Sequence, residues 1–186
     1  MYMADLATEP RWERIEGTFG EDADLAAAMI REVTLGFQGE QLGPHSVALT
    51  TKHFPGGGPQ VDGQDSHFEW GTDQHYPGNM LDYHLKLFIA AIEAGTSAIM
   101  PYYAKPVGTE FEEVAFAYNH DVITNVLRKQ LGFQGIINSD TGPIDMMPIT
   151  IPVSQEAVER NQSDVPGYLE PEGYALFKFG DGLSYK

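Results

Sequence analysis

Three times along this chain a short apolar or β-branched run ends in polar side chains. Val47-Ala48-Leu49-Thr50-Thr51 leads into Lys52 and His53, Ser97-Ala98-Ile99-Met100 into Pro101-Tyr102-Tyr103, and Ile136-Ile137-Asn138-Ser139 into Asp140. Helical spacing separates the runs, and the turns between are short. Strands alternating with helices predict a parallel sheet covered by helices, an α/β fold. All three polar clusters then fall on one rim of one sheet, a common location for functional groups in β/α proteins. Asp140 read by itself fits two roles: a carboxylate held at a strand end, or the cap of a following helix or turn.

The helical segments have their own patterns. Leu25, Met29, Val33 and Phe37 recur every four residues, with Ala28 and Ile30 beside them, and predict an amphipathic helix from Asp22 to Phe37. Glu21, Asp22 and Asp24 favour its positive N-terminal end. A second helix is expected over residues 82–94, with Leu87, Phe88, Ala91 and Ile92 on one face and Gly95 closing it. A third runs over 121–131 behind Asn119 as N-cap, burying Val122, Ile123, Val126, Leu127 and Leu131, with Gly132 as its stop. Residues 55–78 are polar and glycine-rich, and a loop of that length in a compact domain is usually functional or mobile. After Pro148 the pattern changes: 149–153 is β-like and 154–160 is a helical turn or two.

The formal net charge is −16, from 27 acidic and 11 basic side chains. That argues against nucleic acid or an anionic membrane surface as partner and suits a neutral substrate. With no cysteine, disulfides and thiolate chemistry are excluded. No apolar run approaches the ~20 residues that cross a bilayer. The first five residues show no basic region followed by an apolar core, so no signal peptide is visible. In the 55–78 loop Asp62, Asp65, His67, Asp73 and His75 could hold a hard or borderline cation, but their spacing fits no known ligand pattern.

Four segments, in order, carry a resemblance. Pro10-Arg11-Trp12-Glu13-Arg14 with Phe19-Gly20-Glu21-Asp22, Lys52-His53-Phe54-Pro55-Gly56, Leu131-Gly132-Phe133-Gln134-Gly135 with Ser139-Asp140, and Phe177-Lys178-Phe179-Gly180-Asp181-Gly182-Leu183-Ser184-Tyr185 are similar to motifs of glycoside hydrolase family 3. That family includes many β-glucosidases and β-xylosidases.

The resemblance implies part of a (β/α)8 barrel over residues 1–148, followed at 149–186 by the C-terminal segment of a second α/β sandwich domain. It implies a retaining exo-acting glycosidase releasing a terminal β-linked glucose, with Asp140 as nucleophile. Arg14, Lys52, His53 and Tyr103 are the implied ligands of that sugar. His67, Trp70 and Tyr76, in the long loop, are candidates for a second sugar subsite. The chemistry needs one carboxylate to attack the anomeric carbon and a second carboxyl group to protonate the leaving oxygen. It needs no cofactor and no metal. The expected partner is a β-glucoside or short β-glucan oligosaccharide, and the resemblance favours a secreted or periplasmic location. The sequence leaves an oligomer open.

The chain also departs from the pattern. Position 13 is Glu where the family usually has glycine, and 141 is Thr where many members have tryptophan. A complete barrel takes about 250 residues; at most four strands are expected before Pro148. No motif selects an acid/base residue among Glu156, Glu159, Glu170 and Glu172. Two rival readings follow: a sugar-binding remnant without its acid, or xylosidase or exo-glucanase specificity.

Overall fold

The computed structural model describes residues 3–140. Expectations on the boundary at 148, the segment 149–186 and the four glutamates there lie outside the described residues.

The described fold is mixed α/β. Its sheet has the order β1-β3-β5, with β1 at Thr50–Phe54, β3 at Ala98–Pro101 and β5 at Ile136–Ile137, all parallel. Ala98 pairs with Thr50 on one side and Ile136 on the other; Ile99 pairs likewise with Thr51 and Ile137. The row Thr51, Ile99, Ile137 is buried, which is the apolar face a helix layer must cover. The row on either side alternates to the opposite face, where Ile136 is 68% exposed. Residues 3–6 run beside β1, where the Ala4 N–H donates to the Lys52 carbonyl at 2.7 Å.

Two helices, α1 at Ala23–Gln38 and α2 at Leu81–Glu93, pack on each other. Asp22 caps α1 by accepting the N–H groups of Asp24 and Leu25, both at 3.0 Å. The Tyr83 hydroxyl bridges the two helices, donating to the Glu21 carbonyl at 3.1 Å and accepting from Ala23 N–H at 3.0 Å. On α2 most of the expected face is buried: Leu87, Phe88 and Ala91 are fully enclosed and Ile92 is half-buried. Leu87 and Phe88 each contribute about 1.5–3 kcal/mol by that burial. Phe88 meets Phe54 of β1 edge to face at 5.1 Å. A third helix, Asp121–Gln130, is wound as a π-helix; the Asn119 side chain accepts the Val122 N–H at 3.0 Å, and Val122, Ile123, Val126 and Leu127 are buried as expected. Gly132 follows with φ of 69°, a left-handed stop that glycine adopts without strain.

The stripe expected on α1 is not its buried face. Leu25, Met29 and Phe37 are exposed, while Ala23, Ala26, Ile30, Thr34 and Gln38 are buried. Gln38 is drawn inside by its hydrogen bonds. Its Nε2 donates to the Gly95 carbonyl at 2.6 Å; its Oε1 accepts the Leu49 and Ser97 N–H groups, each at 3.0 Å. The same contacts move the first strand. Leu49 is held by Gln38, and the Val47 N–H goes to the Phe37 carbonyl at 2.9 Å, so the run's start closes α1 and β1 begins at Thr50. Lys52 and His53 therefore lie within the strand rather than beyond it. β5 is also shorter than expected, although the Asn138 N–H still reaches the Ile99 carbonyl at 2.9 Å.

The segment 55–78 is built rather than loose. It holds three 3-10 turns and a two-residue strand β2, Asp73–Gln74, which pairs in parallel with β4, Lys105–Pro106. Two buried glutamines brace it. Gln60 donates to the carbonyls of Gly71 at 3.2 Å and Asp73 at 3.0 Å; Gln74 donates to the Gly56 carbonyl and the Tyr76 hydroxyl, both at 2.6 Å. Gly58 is required where the segment leaves β1, because a Cβ there would collide with the Leu6 carbonyl.

Candidate active site

The ends of the parallel strands bring polar groups together, as the alternation requires. Just past β3, Tyr102 and Tyr103 are buried; Asp140 follows β5 and is half-buried. The Tyr103 hydroxyl is hydrogen-bonded to the Asp140 carboxylate. Burial, the Asp140 charge and that hydrogen bond together push the phenol well above its ordinary range, against a smaller opposing influence of the Arg14 charge. Tyr103 is thus a fixed proton donor, and Arg14, half-buried on the segment after Trp12, is close enough for its charge to be felt at both tyrosines.

His67 closes one side. Its ring meets the Tyr103 ring at 4.8 Å, inclined by 62°. Asp65 holds it: Oδ1 accepts the His67 backbone N–H at 2.9 Å and lies 2.6 Å from Nδ1. Glu13 stands near the same group, and partial burial together with the Asp65 charge raises its carboxyl above the ordinary value. Trp70 projects outward, 61% exposed, stacked on Phe68 with ring centroids 4.9 Å apart and planes 5° from parallel. Tyr76, expected with His67 and Trp70, is instead a core residue. It is 7% exposed, accepts from Gln74 and meets the His84 ring at 5.4 Å, because Gln74 turns it inward.

Lys52 and His53 part company along β1. Lys52 is half-buried and borders an open cavity of about 540 Å³, with Ala4, Ile30, Phe37, Met100 and Asn138. His53 is fully buried and tilted against Tyr102 at 4.9 Å. Its Nδ1 lies 2.8 Å from Asp5 Oδ2, while its Nε2 has no hydrogen-bond partner among the described residues. Asp5 is a residue that the sequence reading missed. It lies in the short apolar run from Met3 to Leu6, which reads as a strand end, and its only signal is a carboxylate among Met3, Ala4 and Leu6, where a buried charge must have partners. Burial opposes its ionisation; the His53 charge and hydrogen bond, with the Gly57 and His53 backbone donors, outweigh that and lower its pKa.

The loop acids do not converge on a metal. Asp62 faces Arg11 at 3.2 Å, Asp65 faces His67, and Asp73 faces Lys105 at 3.3 Å. Among the described residues no three His, Asp or Glu side chains are grouped to hold one.

The chain is similar to several known proteins. The chain is 56% identical over 140 residues to a probable beta-glucosidase C of Aspergillus flavus, a match covering 75% of this chain and 22% of that protein. It is 43% identical over 144 residues to a periplasmic beta-glucosidase/beta-xylosidase of Dickeya chrysanthemi, covering 74% of this chain and 22% of the other. A glycoside hydrolase family 3 beta-N-acetylglucosaminidase from a Paenibacillus species superposes with a TM-score of 0.70 at 27% identity, over 89% of this chain and 30% of that one. The match thus spans 22% of the length of each of these two curated relatives. The sequence model of the glycosyl hydrolase family 3 N-terminal domain matches residues 2–163, and the chain belongs to that family.

Proposed function

We propose that this chain carries the nucleophile and the terminal-sugar subsite of a retaining exo-acting β-glucosidase. Asp140 attacks the anomeric carbon and forms the covalent glycosyl-enzyme; water then releases the sugar with its configuration retained. Arg14, Lys52, His53 and Tyr103 hold the sugar hydroxyls, because a neutral sugar is oriented by fixed and partly charged hydrogen-bonding groups. The observation that carries the reading is the hydrogen bond from Tyr103 to Asp140 beyond neighbouring parallel strands. It holds the carboxylate in one orientation and forms a donor beside the reacting carbon. His67 and the exposed Trp70 form the edge of a second subsite; Tyr76, being buried, is left out of it. We read residues 1–148 as part of a (β/α)8 barrel and assign the acid/base to none of the described residues.

Relatives named as acting on glucosides and on xylosides support a second specificity, for β-xylosides. The test uses the intact protein and aryl β-glucoside, β-xyloside and β-N-acetylglucosaminide. A 2-deoxy-2-fluoroglucoside traps the intermediate, and peptide mass spectrometry finds the label. A label on any residue but Asp140 refutes the assignment, and α-glucose as first product refutes retention.

A further inference from the structure

Asp5 is fully buried and makes three hydrogen bonds, all to the turn that carries His53. Oδ1 accepts the Gly57 N–H at 2.6 Å and the His53 N–H at 3.1 Å; Oδ2 lies 2.8 Å from His53 Nδ1. Both side chains are 0% exposed. The segment holding Asp5 is itself fixed, with Met3 N–H on the Gly17 carbonyl at 2.9 Å and Ala4 N–H on Lys52. An ionised carboxylate only accepts, so the imidazole proton on this side belongs to Nδ1. In the neutral form of the ring that leaves Nε2 as a lone-pair acceptor, and Nε2 is the nitrogen without a partner among the described residues. A buried polar atom left unpaired is destabilising, a cost that a ligand hydroxyl at this point would remove.

We propose that Asp5 is a positioning residue for sugar binding: it keeps the His53 proton on Nδ1, so that Nε2 accepts from a sugar hydroxyl, and it pins the turn from His53 to Gly57. The proposal rests on the reading of His53 as a sugar ligand. Asp5 itself touches no substrate.

Asp5→Asn in the intact protein separates this role from simple packing. The amide oxygen still accepts the two backbone N–H groups, but its NH2 faces Nδ1 and forces the imidazole proton onto Nε2. With ¹⁵N-labelled histidine, NMR of the wild type should show His53 protonated on Nδ1, and Asp5→Asn should show it on Nε2. kcat/KM for an aryl β-glucoside should fall at least about tenfold with the change. A wild-type proton on Nε2 overturns the proposal, as does a tautomer change that leaves kcat/KM intact. If Asp5→Asn does not fold, the wild-type tautomer alone decides. Failure of the glycosidase reading shows separately, as wild-type protein that hydrolyses none of the aryl glycosides.

Discussion

Tyr103 donates its hydroxyl hydrogen to the Asp140 carboxylate, joining the end of β3 to the end of β5. A hydrogen bond to a charged group is worth about 1.5–3 kcal/mol. Tyr103→Phe keeps the ring that meets His67 and removes only the donor. kcat/KM for an aryl β-glucoside should fall about ten- to a hundredfold, because 1.4 kcal/mol corresponds to tenfold. Steady-state kinetics of the intact variant measures this; unchanged kinetics would show that the bond does not serve the reaction.

Asp140→Asn tests the nucleophile. The amide preserves shape and abolishes attack, so turnover should drop by at least about a thousandfold. Glucose binding, followed by calorimetry, should remain measurable.

Much of this arrangement was legible in the sequence, for identifiable reasons. The three helices and the parallel order follow from apolar spacing, which burial enforces, whereas the bounds of β1 and β5 are shifted from the apolar runs by hydrogen bonds that no spacing marks. What escaped depends on polar groups that fold inward. Gln38, Gln60 and Gln74 are buried because they satisfy backbone groups far away in sequence, and no periodicity marks them. Asp5 was invisible for the same reason, and Tyr76 was misplaced because Gln74 turns it inward. On α1 the large side chains misled, because the buried face runs through Ala23, Ala26, Ile30, Thr34 and Gln38 instead.

Trp70→Ala should spare the first subsite. The side chain is 61% exposed, so stability should change by less than about 0.5 kcal/mol. KM for cello-oligosaccharides should rise severalfold while aryl β-glucoside kinetics hold. Equal effects on both substrates would remove Trp70 from the second subsite.

His84 makes stability depend on pH. It is 4% exposed, and burial lowers its pKa to about 4 from the ordinary 6.5. The folded state therefore holds the ring neutral while the unfolded chain protonates. The resulting stability is complete above about pH 6.5 and is lost as pH falls towards 4, by roughly 3 kcal/mol. Asp5 acts lower, since its carboxyl is already ionised above its ordinary value of 3.8. Urea melts of wild type and His84→Phe from pH 7 to 4.5 should diverge, the variant losing less.

Gly58→Ala should destabilise the fold by at least about 1–3 kcal/mol, because the added methyl meets a backbone carbonyl rather than a movable side chain. Thermal melting of the variant reads the loss directly.

The amide of Gln38 ties the end of α1 to the start of β1 and the start of β3 in one place. It does so at the opposite end of the sheet from Tyr103 and Asp140. Strand alignment is thus secured independently of whatever occupies the rim. A rim segment such as 55–78 can accordingly diverge in length and sequence without letting the strands slide, provided that it keeps its buried anchors Gln60, Gln74 and Tyr76.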